Sequence, residues 1–137
     1  MSSDSLPKRE FRVEPVKVAE FIRAIGVDPE PGYVAAAGAP SPPGYLTYAS
    51  SYDPVVIHDR LGFDPLRTLY AGVQLEIVDV PILGDVLTVT PSIGVVRTVQ
   101  GSSGALRLAD VEVEYHQGGR RVMREISTVA ERSIDRG

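Results

Sequence analysis

Two sets of residues in this chain have the types and spacing to move protons. Asp28 and Tyr33 stand five positions apart in the stretch Gly26 to Thr47, GVDPEPGYVAAAGAPSPPGYLT, and Asp53 and His58 repeat that spacing in YDPVVIHDR. A carboxylate and a second titratable group at one site make a general acid–base pair. Tyr33 is a poor base, because a phenol with an ordinary pKa near ~10 stays protonated at neutral pH. The neighbouring negative charge of Glu30 opposes any downward shift. On a continuous helix, Asp53 and His58 point about 140° apart, given 3.6 residues per turn. They converge only if Pro54 breaks the helix. Otherwise Asp53 caps the turn that Pro54 opens, and His58 is a partly exposed helix-end residue. Asp28, followed by Pro29, also reads as a turn former.

The remaining candidates are weaker. His116 alternates with Glu112 and Glu114 on a polar strand face, which reads as solvated. Tyr45 and Tyr70 flank apolar stretches and suit a core or a binding-pocket wall with a tethered hydroxyl. Arg120, Arg121 and Arg124 could meet a phosphate, although charged hairpin flanks are ordinarily solvated.

Composition narrows the chemistry further. The chain has 137 residues, enough for one domain with its own core. It has no cysteine, which excludes thiol catalysis and disulfides, and two histidines, which leaves a zinc site without ligands. The net charge is −4 with scattered basic residues, so no nucleic-acid footprint is expected. No apolar run reaches the ~20 residues of a bilayer span, and MSSDSLPKRE lacks the apolar core of a secretory signal. The expectation is a cytoplasmic protein with no membrane partner, metal or cofactor.

The elements that must position these groups can be placed from periodicity. Residues 1–10 read as a flexible N-terminus and 11–133 as one domain. Phe11–Val13 is extended. A helix begins at Glu14-Pro15, buries Val18, Phe21, Ile22 and Ile25, and stops at Gly26. Five prolines and three glycines make residues 28–44 irregular, and such loops often carry sites. A second helix runs from about Tyr45 toward Leu61, interrupted or offset at Pro54. Four strands follow: one with Leu69, Ala71, Val73, Leu75 and Ile77 on a half-buried face, one over Val86–Val99 with a bend at Pro91–Gly94, one over Ala105–Gln117, and one over Arg120–Arg132 with Val122 and Ile126 on one face. In the third, Val111, Val113 and Tyr115 face opposite to Asp110, Glu112, Glu114 and His116. Gly118-Gly119 is a two-residue hairpin turn. Short links imply antiparallel pairing, and an apolar helix must pack on one sheet face. The fold class is therefore α+β.

The loop and its flanks resemble the MaoC-like hydratase/dehydratase family, whose usual pattern runs G-D-x-N-P-x-H-x-D…A…G…A-H-G-x-L-T. FRVEPVKVAEFIRAIG resembles the start of the family's N-terminal dehydratase-like branch, PPGYLT the start of its central helix, and LYAGVQLEIVDVPILGDVLTVTPSIGVV its next hairpin. The resemblance spans Phe11 to Arg132. It implies a single hot-dog domain, an antiparallel sheet wrapped around a central helix.

In that family the Asp and His act together on a hydratable double bond, and a backbone N–H at the start of the central helix polarises the thioester carbonyl. Asp28 falls at the Asp position and Tyr33 at the His position. Glu30-Pro31 replaces the usual Asn-Pro, and Pro43 the second His. The carbonyl-polarising role falls to the backbone near Gly44 or Tyr45, with Tyr70 as a further substrate contact. The branch often lacks the pair and serves as the partner half of a dehydratase.

The resemblance therefore implies a subunit of an R-specific 3-hydroxyacyl-thioester dehydratase or enoyl hydratase. It would bind acyl-CoA or acyl-ACP and form a homodimer, or a heterodimer with a catalytic hot-dog subunit. Two rival readings stay open. One is an autonomous hot-dog lyase, cyclase or thioesterase using Asp28, Tyr33, Asp53 or His58. The other is an acyl-binding scaffold without turnover.

Overall fold

The structure, a computed structural model, describes residues 4–42, 44–49 and 54–133. Strands β1 (Asp4–Ser5) and β2 (Arg9–Arg12) are followed by helix α1 (Pro15–Ile25), helices α2 (Tyr45–Ala49) and α3 (Pro54–Leu61), and a 3₁₀ turn (Pro65–Arg67). Then come β3 (Thr68–Ile77), β4 (Val86–Ile93), β5 (Arg97–Gly101), β6 (Gly104–Gln117) and β7 (Arg120–Arg132). Among the described residues these strands make one antiparallel sheet in the order β1-β4-β6-β7-β3, with β2 also on β4 and β5 also on β6. The helices lie against one face, giving the α+β hot-dog arrangement. The sheet starts earlier than residue 11: β1 and β2 pair with β4, and Leu6 is buried.

Helix α1 carries Pro15 in its first turn and ends at Gly26, whose φ of 69° needs a residue without a Cβ. Val18 is buried, with Phe21 and Ile22 packed beside it, whereas Ile25 is exposed. Among the described residues, the helical structure after the loop consists of α2 and α3. Each anchors its own cluster. Tyr45 and Leu46 join Val13, Leu87 and Tyr115, while Ile57 and Leu61 join Phe63, Ile93 and Ala109. Tyr115 on β6 donates to the Leu46 carbonyl at 3.4 Å, tying α2 to the sheet.

The stretch 86–99 is two strands rather than one. Pro91 stays in the ladder opposite Val113, and the chain leaves β4 at Gly94, whose N–H bonds Asp110 at 2.8 Å. Strands β3 and β4 are not neighbours, because residues 78–85 carry the chain across the end of the sheet to its far side.

Two bulges decide which side chains face the helices. At the hairpin, Gly118 and Gly119 have φ of 57° and 83°, as a two-residue turn requires. Gln117 pairs with Arg120 and His116 with Arg121, but Tyr115 pairs with Met123, leaving Val122 as an extra residue. A one-residue slip turns every later side chain over. Regular pairing would put Val122 and Ile126 on the face of Tyr115 and Val111. Instead Met123, Glu125, Ser127 and Val129 face inward and Ile126 turns away, while Val122, the extra residue, stays buried in the core. The Val122 carbonyl accepts from the N–H groups of Val78 and Asp79, which holds the bulge in place.

The second bulge lies in β3, between Tyr70 and Gly72. It breaks the expected alternation, so Leu69 faces opposite to Val73, Leu75 and Ile77. Strand β3 is exposed almost throughout rather than half-buried, because it forms the sheet edge.

Candidate functional site

The loop after α1 is fastened along its length. Asp28 is exposed just beyond the Gly26 cap. Tyr33 closes a turn through its N–H to the Glu30 carbonyl at 3.0 Å, and its hydroxyl donates to the Pro40 carbonyl at 2.8 Å. Burial raises the Tyr33 phenol above its ordinary 10.0, so it stays protonated. Further along, Gly38 donates to Leu83 at 3.0 Å, Leu83 to Ala39 at 2.8 Å and Ser41 to Pro81 at 2.8 Å. The loop is thus laced to the crossover between β3 and β4.

Gly44, at a φ of 84°, opens α2, and its carbonyl accepts from Tyr48. The Tyr45 N–H bonds the Pro42 carbonyl at 3.3 Å. The Tyr45 ring is buried, 5.5 Å from Phe21 in an edge-on contact and 6.4 Å from Phe11. Its phenol is raised by burial first, and then by the charges of Glu14, Glu20 and Tyr48.

A cavity of roughly 460 Å³ lies between helices α2 and α3 and the inward face of the sheet. That size suits a small-molecule site. Thr47 of α2 and Ile57 of α3 form one wall, and Val111, Val113 and Val129 much of the other. Tyr70 and the β3 bulge stand at its side. On the sheet side, Glu125 and Ser127, 8% and 7% exposed, interrupt the apolar lining. The Ser127 hydroxyl donates to Glu125 Oε2 at 3.1 Å.

Of the residues singled out from the sequence, Tyr70 lines this cavity, while Asp28, Tyr33, Gly44, Tyr45 and His58 do not. Asp53 lies outside the described residues. His58 sits in the last turn of α3 with its Nδ1 buried and without a hydrogen-bond partner among the described residues. Glu125 and Ser127 were missed, because a polar–apolar count along β7 assigns them to solvent. The hairpin bulge is the signal that would have turned them inward.

The opposite sheet face is a ladder of ion pairs. Arg124 meets Glu112, Arg121 meets both Glu76 and Glu114, and Arg120 meets Asp79. His116 Nε2 lies 3.9 Å from Glu114 on the same face. Glu112 holds the Arg124 guanidinium above its ordinary pKa, through its hydrogen bond first and its charge second.

The model of the FAS1-like dehydratase domain region matches residues 4–125. Among solved structures, the chain is similar to the C-terminally truncated HadBC (3R-hydroxyacyl-ACP dehydratase) complex from Mycobacterium tuberculosis: 17% identity, 94% of each chain, TM-score 0.68. It is similar to the ChsH1-ChsH2 complex from the same organism: 15% identity, 97% of this chain and 86% of that one, TM-score 0.74. A MaoC-like dehydratase from Rhodospirillum rubrum aligns at 20% identity over 98% of this chain and 95% of its own, TM-score 0.60. No curated protein sequence matches.

Proposed function

This chain belongs to the family of FAS1-like dehydratase domain regions, and on that premise we propose that it is one half of a two-subunit enzyme. The reaction is R-specific dehydration of a 3-hydroxyacyl thioester, or the reverse hydration of an enoyl thioester. The chain shapes the acyl site, and a hot-dog partner supplies the proton-handling pair.

The observation that carries this reading is the cavity's open side. It is bordered by β3, an edge strand whose row facing the helices, Tyr70, Val73, Leu75 and Ile77, is 68%, 60%, 40% and 52% exposed. An apolar row on an unpaired edge is a pairing surface. A second hot-dog subunit paired there closes the cavity and protects the reacting thioester from water.

Dehydration must remove an α-proton and protonate the leaving β-hydroxyl, which takes two positioned groups. The loop here offers Asp28 without an imidazole. The Tyr33 hydroxyl is already donated to Pro40, and burial holds its proton on. This chain's own contribution is the wall of the acyl groove. The acyl group arrives as a CoA or acyl-carrier-protein thioester. A second copy of this chain closes the groove but brings no imidazole at the pair position, so the reading favours a different hot-dog subunit as partner.

The test is hydration of crotonyl-CoA by the purified chain, alone and co-expressed with a hot-dog subunit bearing Asp-x4-His. The chain alone is expected to show no hydration and the pair to show it. Tyr33→Phe should leave the pair's rate within about twofold, since no transition-state contact is lost. Enzyme-like hydration by the chain alone, abolished by Tyr33→Phe, would overturn the reading in favour of an autonomous enzyme.

A further inference from the structure

We propose that Glu125, steadied by Ser127, is a hydrogen-bond acceptor within the groove that selects ligands presenting a neutral donor, a hydroxyl or an amide N–H, over plain alkyl chains. The proposal rests on the reading of the cavity as an acyl-thioester site and adds the class of group the site prefers.

The placement is unusual for a carboxylate. On β7, Glu125 lies opposite Val113 of β6 and Leu75 of β3, and Ser127 lies opposite Val111 and Val73. Every neighbour across the ladder is apolar. A strand position between such neighbours favours a β-branched apolar side chain, and a carboxylate there must replace the water it loses with hydrogen bonds.

A carboxyl group has more acceptor sites than one hydroxyl can fill. Among the described residues the Glu125 side chain receives one hydrogen bond, from Ser127. It has no ion pair there either, unlike Glu131 on the same face. Glu125 lines the cavity, where a ligand donor can meet its remaining acceptor capacity.

A plain hydrocarbon pressed against it strips the remaining water and returns nothing. A ligand hydroxyl or amide replaces that water with a hydrogen bond. Acyl thioesters bring two such donors: a hydroxyl on the acyl chain and the amides of the pantetheine arm. Charge is not needed, and a ligand cation has no counterpart in an acyl thioester.

The experiment is calorimetric titration of the assembled protein with decanoyl-CoA, ω-hydroxydecanoyl-CoA, decanoate and ω-hydroxydecanoate. At least one donor-bearing ligand should bind about tenfold tighter than its donor-free counterpart. Glu125→Leu should erase that preference, and Glu125→Gln, isosteric and still an acceptor, should keep most of it. The Gln variant also guards against a Leu variant that fails to fold.

Preference for both hydroxylated ligands assigns the donor to the acyl chain. Thioesters that weaken together in Glu125→Leu, with the free acids unchanged, assign it to the pantetheine arm. Either result supports the proposal. A preference indifferent to residue 125 overturns it, as does a Glu125→Leu variant that loses assembly with its ligand preferences intact, which would make a partner side chain the donor. If no thioester binds at all, the acyl-site reading falls with it; if thioesters bind regardless of residue 125, only this proposal falls.

Discussion

Glu125 and Glu131 sit six residues apart on the same face of β7, both buried, and they are held in opposite ways. Glu131, 3% exposed, accepts from the Asp64 N–H and from Arg107 Nε at 2.7 Å, with Arg67 at 3.7 Å. Arg107 in turn reaches the Gly62 carbonyl and lies over the Phe63 ring at 4.9 Å. Burial pushes the Glu131 carboxyl up. The Asp64 hydrogen bond, then Arg107, then Arg67 more than offset this, and its pKa is lowered. Glu125 has one serine. A buried acid ringed by donors is a fastener, here joining the end of β7 to the 3₁₀ turn. One left mostly unanswered beside a cavity is available to something that enters.

The largest expected effect breaks the fastener. Glu131→Leu removes the acceptor of the Asp64 N–H and of Arg107, and should lower unfolding free energy by roughly 2–4 kcal/mol in urea titrations. The estimate is below that for a fully dry pair because Arg107 is 41% exposed. The pH dependence has a defined sign. A carboxyl whose folded pKa lies below its ordinary 4.5 contributes fully above that value. Its contribution is lost as pH falls through the lower folded pKa. Glu131→Gln should therefore flatten the acid limb of the stability profile below about pH 4.5, where wild type declines.

Glu125→Leu should act the other way, leaving stability within about 1 kcal/mol of wild type or raising it, because a poorly satisfied acid gives way to packed hydrocarbon. Equal destabilisation by the two substitutions would dissolve the contrast. The smallest effect belongs to the outer face. Arg121→Ala removes two exposed ion pairs and should cost under about 1 kcal/mol, less at high salt.

The same contrast explains what could be read in the sequence. Helix α1, its glycine cap, the Gly118-Gly119 turn and the buried face of β6 follow from local rules, and all are present. The irregular course of the loop after α1 was legible from its prolines and glycines, but Asp28, Tyr33 and Gly44 do not line the cavity. The inward face of β7 was not legible. Val122 and Ile126 look like its apolar side, and only the extra residue at the bulge brings Glu125 and Ser127 in. The bulge depends on the Val122 carbonyl meeting residues 78–79 across the fold, a contact that local patterning does not contain. The two clusters that α2 and α3 serve are likewise set by contacts across the fold rather than by local patterning.

The most direct measurement of the central claim is a stoichiometric titration. This chain is added to a fixed amount of a hot-dog subunit carrying the intact Asp/His pair, and 3-hydroxyacyl-thioester dehydration is followed. The account predicts activity that rises from near zero and saturates at one copy per catalytic subunit, with Leu75→Lys at the β3 edge abolishing the rise. Full activity of the catalytic subunit alone, unchanged by this chain at any ratio, would contradict it.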